Sequence, residues 1–228
     1  MEKRWSLLLL IIIISVFIFS VQGITNTEKP SEIIDQAIEV LKEMEEAEDS
    51  GAFAVLLGKA KGVAIFPSLT RIGLGIGGQF GKGIIFRKGS AGIWYGPAFI
   101  EIKSLSLGPQ MGIQSVALVL VISNERGMEG FLENNLTLGG NISIAVGPLG
   151  RSLSADTDLK MEAAIYSYSI AKGAYVGASF QGSTIAEDKE MNKLFYGKEI
   201  SHKNILENKI SLNPDVLKLL LYLRKLGK

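Results

Sequence analysis

Between Ala60 and Phe86 the chain reads AKGVAIFPSLTRIGLGIGGQFGKGIIF, and the usual contrast of polar and apolar positions is replaced by one of bare and bulky positions. Glycine holds Gly73, Gly75, Gly77, Gly81 and Gly83, while Ile72, Leu74, Ile76, Phe80, Ile84 and Phe86 take even positions. A period of two is a strand period, so one face of this sheet carries large side chains and the other almost none. Either backbone or a ligand must cover the bare face. The expected layout is a strand over Gly62–Phe66 ended by Pro67, then a hairpin of Arg71–Gly77 and Lys82–Arg87 around a loop at Gly78–Gly81.

Upstream, Ile34, Ala37, Ile38, Leu41 and Met44 recur at helical spacing behind Pro30-Ser31, with Ser31 as the expected N-cap. Glu32, Asp35, Glu39, Glu43 and Glu46 fill the other face, and Ser50-Gly51 breaks the pattern. A short second helix is expected over Phe53–Lys59. Downstream, Lys88-Gly89-Ser90 marks a turn, and Ile93–Ile102, Leu105–Leu107 and Gln114–Ser123 read as strands, the last apolar enough to be buried on both faces. Asn124–Asn134 is helix-compatible, Asn135–Val146 alternates until Gly147-Pro148-Leu149-Gly150, and Met161–Ser169 with Ala174–Phe180 suggests a hairpin about Ala171-Lys172-Gly173. Asp188–Phe195 reads as a short helix closing at Tyr196-Gly197. Leu-Gly or Val-Gly pairs at Leu74, Leu107, Leu138 and Val176 are too unevenly spaced for a true repeat.

The last segment is a helix by its own chemistry, with Asn213 as cap and Pro214 at the first position. Val216, Leu219, Leu220, Leu223 and Leu226 share one side, while Lys218, Arg224, Lys225 and Lys228 share the other. Leu217 and Leu221 fall inside the basic sector, so the segment suits a C-terminal core helix or one lying in a membrane interface. Together these elements predict an α+β fold: an antiparallel Gly-rich β-sheet or partial barrel with flanking helices and a C-terminal amphipathic helix.

Composition adds a third part to the chain. Lys3 and Arg4 precede an apolar run, Leu7–Phe19, interrupted only by Ser15 and followed by Ser20-Val21-Gln22-Gly23. This describes a signal peptide over residues 1–23, or else an uncleaved anchor, ahead of a domain at 24–200 and a basic tail at 201–228. Export to the periplasm or the extracellular space is the matching expectation. The full chain of 228 residues has a formal charge of +1, and loss of Glu2, Lys3 and Arg4 brings it to zero, which argues against a general nucleic-acid binder. Nine acids and two lysines between Ile24 and Ser50 likewise disfavour contact of the first helix with an anionic membrane. The chain has no cysteine, hence no disulfide, thiolate metal site or cysteine-linked lipid.

Familiar reaction chemistry is missing. Gly73, Gly75 and Gly78 match G-x-G-x-x-G but lie inside a strand pattern, whereas a dinucleotide site needs them to open a helix. Gly81-Lys82-Gly83 lacks both the first glycine and the Ser/Thr of a phosphate loop. His202 is the single histidine, expected at the surface, so neither a multi-histidine metal site nor a hydrolase triad is indicated. Asp156-Thr157-Asp158 with Glu162 approaches a calcium loop, but Met161 occupies the glycine position and a polar turn is expected. Glu125-Arg126 reads as a surface pair or strand-end cap. Trp94, Tyr95 and Phe99 suit an apolar pocket or the core. No catalytic residue, metal or cofactor is implied.

Ala60-Lys61-Gly62, Phe66-Pro67, Gly77-Gly78, Gly81-Lys82-Gly83, Trp94, Pro97-Ala98-Phe99, Gly108, Gln110, Gly112, Gln114, Asn124, Leu138-Gly139, Gly147-Pro148, Gly150-Arg151, Tyr168-Ser169, Gly173, Gly177, Asn192 and Tyr196-Gly197 follow in the order and spacing of the SYLF domain. Over roughly residues 30 to 200 the chain resembles that family. The resemblance implies a lipid-binding module; eukaryotic relatives bind phosphoinositide-bearing membranes, and fungal relatives also bind and bundle actin filaments. Ala117, Tyr95 and Ile170 depart from the family pattern, each replacing a polar group. The acidic first helix also differs from the amphipathic N-terminal segment on which eukaryotic relatives partly rely.

The leading expectation is therefore a non-enzymatic, exported lipid-binding protein that associates with phospholipid or a membrane surface. Lys61, Arg71, Lys82, Arg87 and Arg151 are the candidate head-group contacts, Trp94 and Phe99 the apolar ones, and Lys218, Arg224, Lys225 and Lys228 the membrane contacts. The alternative is a protein-interaction module of the actin- or filament-binding type, which requires a host or a cytoplasmic location. An enzyme acting on lipid would have to rest on His202.

Overall fold

A computed structural model describes residues 28–47, 50–134, 136–147, 163–171, 174–175 and 180–228. The expected leader at 1–23, Arg151, the polar turn at 156–162 and the turn at 172–173 lie outside the described residues. The predicted α+β class is observed: among the described residues there are six helices and a curled, mixed sheet that forms a half-barrel.

Helices α1 (Pro30–Glu46) and α2 (Ser50–Lys59) come first. Ser31 is not the cap of α1. Pro30 already occupies the first turn, where its missing N–H costs nothing, and Lys29 is the cap residue. The Glu32 carboxylate closes that end by accepting the Lys29 backbone N–H at 3.1 Å. Helix α2 starts three residues before the expected Phe53.

Two strands then dominate the molecule: β1 (Gly62–Lys88) and β2 (Trp94–Ile122), paired antiparallel from Gly62 opposite Ile122 to Lys88 opposite Trp94. The expected hairpin about Gly78–Gly81 is not formed. Those residues lie in the middle of β1 and pair with 102–105, and the reversal lies at 89–93. Pro67 does not end a strand, because it sits at a register shift between Phe66 and Leu69 where no ladder N–H is required. Likewise the three strands expected between Ile93 and Ser123 are one.

A straight strand of 27 residues would run about 90 Å, far beyond a domain whose radius of gyration is about 17 Å. It must bend, and the ends of β1 meet: the Lys88 N–H donates to the Lys61 carbonyl at 2.8 Å. Register shifts at Phe66/Leu69, Leu74/Ile76 and Ile85/Arg87 interrupt the ladder along its length. Each such irregularity increases local twist and bending. The bare face closes on this bend. A Cβ at Gly81 would lie 2.5 Å from the Ser68 carbonyl oxygen, and one at Gly83 would lie 2.4 Å from that of Ile65. At these two glycines the covering group is the strand's own first half.

The other edge of β2 takes the short strands. Helix α3 (Glu125–Leu132) follows β2 within the stretch read as helix-compatible and is capped by Asn124, whose side chain accepts the Gly127 N–H at 2.9 Å. The alternation over Asn135–Val146 splits into β3 (Leu136–Thr137) and β4 (Ile144–Val146) around Gly139, whose φ of 72° turns the chain. Then come β5 (Ile165–Ala171) and β6 (Ala174–Tyr175), which pair antiparallel, and β7 (Thr184–Glu187), which the alternation did not reveal. The order is β3-β7-β2-β5-β4, with β1 also on β2, β6 on β5, and the β4–β5 pair parallel. Val116–Ile122 is buried throughout, as expected, because Val119 and Val121 face one core while Leu118 and Leu120 face the other.

Three more helices complete the chain: α4 (Lys189–Tyr196), the unforeseen α5 (His202–Asn208), and α6 (Pro214–Leu226). One core joins α1, α2 and α6 to the outer side of the sheet; the other fills the half-barrel and takes in α3 and α5. No helix among the described residues is long and apolar enough to cross a membrane.

Candidate functional site

Helix α6 folds as its local chemistry dictates. The Asn213 carboxamide oxygen accepts the backbone N–H groups of Asp215 at 2.9 Å and Val216 at 3.3 Å, two of the donors that a helix start leaves unpaired. Val216, Leu219, Leu223 and Leu226 are buried in the core shared with α1 and α2, each contributing about 1.5–3 kcal/mol on burial. That spacing leaves Pro214, Leu217, Lys218, Leu221, Arg224 and Lys225 facing solvent, with Lys228 exposed just beyond the helix. A shallow hollow of about 500 Å³ runs along it, lined by Pro214, Leu217, Lys218, Leu221, Tyr222 and Lys225.

One border of this face is pinned to α1. Glu45 accepts a hydrogen bond from the Tyr222 hydroxyl and pairs with the Lys225 ammonium at 3.0 Å, which itself lies 5.3 Å over the Tyr222 ring. Burial, and then the Glu45 carboxylate, push the Tyr222 phenol up to about 12. The Tyr222 hydrogen bond first, and Lys225 second, hold the Glu45 carboxyl below its ordinary range. Lys218, Arg224 and Lys228 enter no ion pair among the described residues. The face is thus a leucine stripe with free cations at its sides. It is the one predicted group, Lys218, Arg224, Lys225 and Lys228, that the fold brings together.

The other predicted contacts are dispersed. Lys61 pairs with Glu125 at 3.2 Å, so Glu125 takes Lys61 rather than Arg126 as partner. Lys82 pairs at 2.7 Å with Asp188, the cap of α4. Arg71 donates from Nε to the Gln79 carboxamide at 3.0 Å and lies 5.0 Å over the Phe180 ring; burial pushes its pKa down. Arg87 is half-buried opposite Tyr95. Trp94 and Phe99 belong to the core. The Phe99 backbone is clasped on both sides by Asn192, which accepts its N–H at 2.8 Å and donates to its carbonyl at 3.2 Å.

His202 corrects a further expectation. It is 3% exposed, not a solvated surface residue; its Nδ1 has no hydrogen-bond partner and desolvation lowers its pKa to about 4. Among the described residues no group of three His, Asp or Glu is placed to hold a metal.

Reasoning from the sequence missed Leu194, Ile210 and Leu212, which are exposed beside the start of α6. The available signal was apolar residues at Ile210 and Leu212 in a link too short and irregular for a helix, between α5 and the cap at Asn213.

Fold and surface together define an α+β half-barrel domain with an exposed leucine and lysine face on α6. The family described as Ysc84: Las17-binding protein actin regulator matches residues 103–226, and the chain belongs to it. The SYLF resemblance carried by the residue motifs is this same family. The chain is 38% identical over 154 residues to the SH3 domain-containing YSC84-like protein 1 of Homo sapiens, covering 67% of this chain and 45% of that one. It is 34% identical over 162 residues to Protein YSC84 of Saccharomyces cerevisiae, covering 70% and 34%. To LAS seventeen-binding protein 3 of the same species it is 35% identical over 164 residues, covering 71% and 36%. The chain thus spans less than half the length of these curated relatives. The family is named for binding and regulation, and the matched region includes the whole of α6.

Proposed function

We propose that this chain is a non-catalytic interaction module that docks a protein partner of the actin-regulatory kind through the outer face of α6. The observation that carries this reading is the exposed Leu217–Leu221 stripe, flanked by free cations, on a helix whose opposite side is locked in the core. Such a face suits an acidic amphipathic segment laid along it, with leucines as anchors and carboxylates toward Lys218, Arg224 and Lys228. The relatives' names, which refer to Las17 and actin regulation, support the choice of partner class. Co-sedimentation with actin filaments and capture on immobilised Las17 test it. Binding to at least one, reduced fivefold or more by Lys218→Glu with Leu221→Glu, is the expected result; no binding of the unaltered protein to either overturns it.

A second reading, association of an exported chain with a phospholipid surface, is favoured by the basic flank and apolar run at Lys3–Phe19. Flotation of the full chain with vesicles of phosphatidylcholine and phosphatidylglycerol tests it. Mass measurement of the chain recovered from an expressing cell tests the leader: loss of residues 1–23 is the expected outcome, and an intact N-terminus overturns cleavage.

A further inference from the structure

A second hollow, of about 720 Å³, opens where the start of α1, the end of α4 and the link between α5 and α6 converge. Its lining includes Ile34, Phe195 and Tyr196, and its rim carries three large aliphatic side chains that nothing covers: Leu194 at 60% exposure, Ile210 at 53% and Leu212 at 81%. Single exposed leucines are ordinary, but three around one cleft form a patch of the kind that marks an interaction surface.

The charge around this cleft has one sign. Among the described residues lining it are Lys29 and Lys209 and no acid, although α1, which begins there, is strongly acidic along its outer face. The nearest acid on α1, Glu32, is turned back onto the Lys29 backbone N–H. Neither lysine enters an ion pair among the described residues. The polar end of Tyr196 is directed inward, its hydroxyl donating to the Pro97 carbonyl at 2.8 Å. An apolar rim with uncompensated lysines matches the boundary between acyl chains and anionic head groups, where long basic side chains reach outward to the charge.

Chain connectivity points the same way. The apolar run Leu7–Phe19 joins the domain through eight residues, Ser20–Thr27, and the domain begins just before Lys29, which lines this cleft. Eight residues span at most about 30 Å, so for as long as the leader is uncleaved, a bilayer holding that run keeps the cleft, more than any distant face, at high local concentration near its surface.

We infer that the cleft edged by Leu194, Ile210 and Leu212 is the bilayer-facing end of the domain, inserting its aliphatic rim among lipid tails with Lys29 and Lys209 at anionic head groups. The inference rests on the membrane reading of the chain and names the surface that reading leaves open. It also gives a division of labour: the leucine stripe of α6 begins at Pro214, immediately beyond this end, and takes the protein partner.

The absence of cysteine makes the test direct. Leu212→Cys and, separately, Leu105→Cys are placed in the full chain and labelled with an environment-sensitive fluorophore. Leu105, 90% exposed, borders a different hollow formed by Gln79, Phe80 and Thr184. Each labelled protein is mixed with vesicles of phosphatidylcholine and phosphatidylglycerol (7:3), and with phosphatidylcholine alone. The expected result is a blue shift and quenching by bromolipid at position 212 and not at 105, stronger with the anionic vesicles. Flotation without a shift at 212, or with equal shifts at both positions, overturns this surface while leaving membrane association standing. Failure to float with either vesicle overturns the membrane reading itself.

Discussion

The glycine-rich middle of β1 and the outer face of α6 begin from the same sequence property, a period that separates two unlike faces, and end with opposite fates. In β1 the bare face turns inward and meets the strand's own backbone at Gly81 and Gly83. In α6 the second face, with Leu217 and Leu221, turns outward to solvent. The difference lies in what each face can offer. A row without side chains lets two backbones approach, which a strand bent on itself requires. A row of leucines and lysines keeps backbones apart and retains apolar area for a partner.

This contrast is broken most severely at Gly83. Gly83→Val forces a side chain toward an Ile65 carbonyl 2.4 Å from the new Cβ, and a loss of about 3 kcal/mol or more is expected in urea unfolding. By comparison Gly51→Ala, where a Cβ would meet nothing within 4 Å, leaves the midpoint unchanged or slightly raised.

An intermediate effect is expected from His202, a polar group turned inward. Its pKa is about 4 in the folded chain against about 6.5 when unfolded, so between those values the unfolded state binds the extra proton. Its neutral form therefore favours folding fully above 6.5, and stability falls by about 2 kcal/mol from pH 7 to pH 5. Urea unfolding at both pH values checks this. His202→Gln removes that part of the pH dependence, which separates it from the carboxyls of Glu28 and Glu187, whose pKa values burial raises. A pH response unchanged in His202→Gln would remove the histidine from the account.

The smallest stability effect belongs to the outward face. Leu221→Glu is expected to shift unfolding by no more than about 0.5 kcal/mol while weakening partner capture. A large loss of stability would mean that this leucine is structural and would erase the contrast with Gly83.

Much of the helical layer was legible in advance because its signals are local. Pro214, Asn213 and the spacing of Val216, Leu219 and Leu223 lie within one or two helical turns, and structure followed them. Helix α1 was equally clear except at its cap, where Pro30 overrode Ser31. The sheet was harder. Gly78-Gln79-Phe80-Gly81 has the composition of a turn, yet pairing with 102–105 held it extended. Short β7 depends on the β2 edge it completes, and α5 on the core that receives Ile205 and Leu206. For the candidate surface, angle alone put Lys218, Arg224 and Lys225 of α6 and Lys228 beyond it on one side, whereas Lys61 and Lys82 were free only until Glu125 and Asp188 reached them from distant parts of the chain, and Arg71 until the strand placed Gln79 beside it.

By itself the sequence determined the α+β class, the two amphipathic helices that cover the sheet, the period of β1 and membership of the SYLF family. These depend on residue types a few positions apart. Tertiary structure alone decided that β1 bends until Lys61 and Lys88 meet, that the glycine face is filled from within at Gly81 and Gly83, that His202 is buried, and which cations remain free. Each of those outcomes depends on which group arrives opposite another after the chain has folded back over tens of residues, and periodicity along the chain carries no record of that distance.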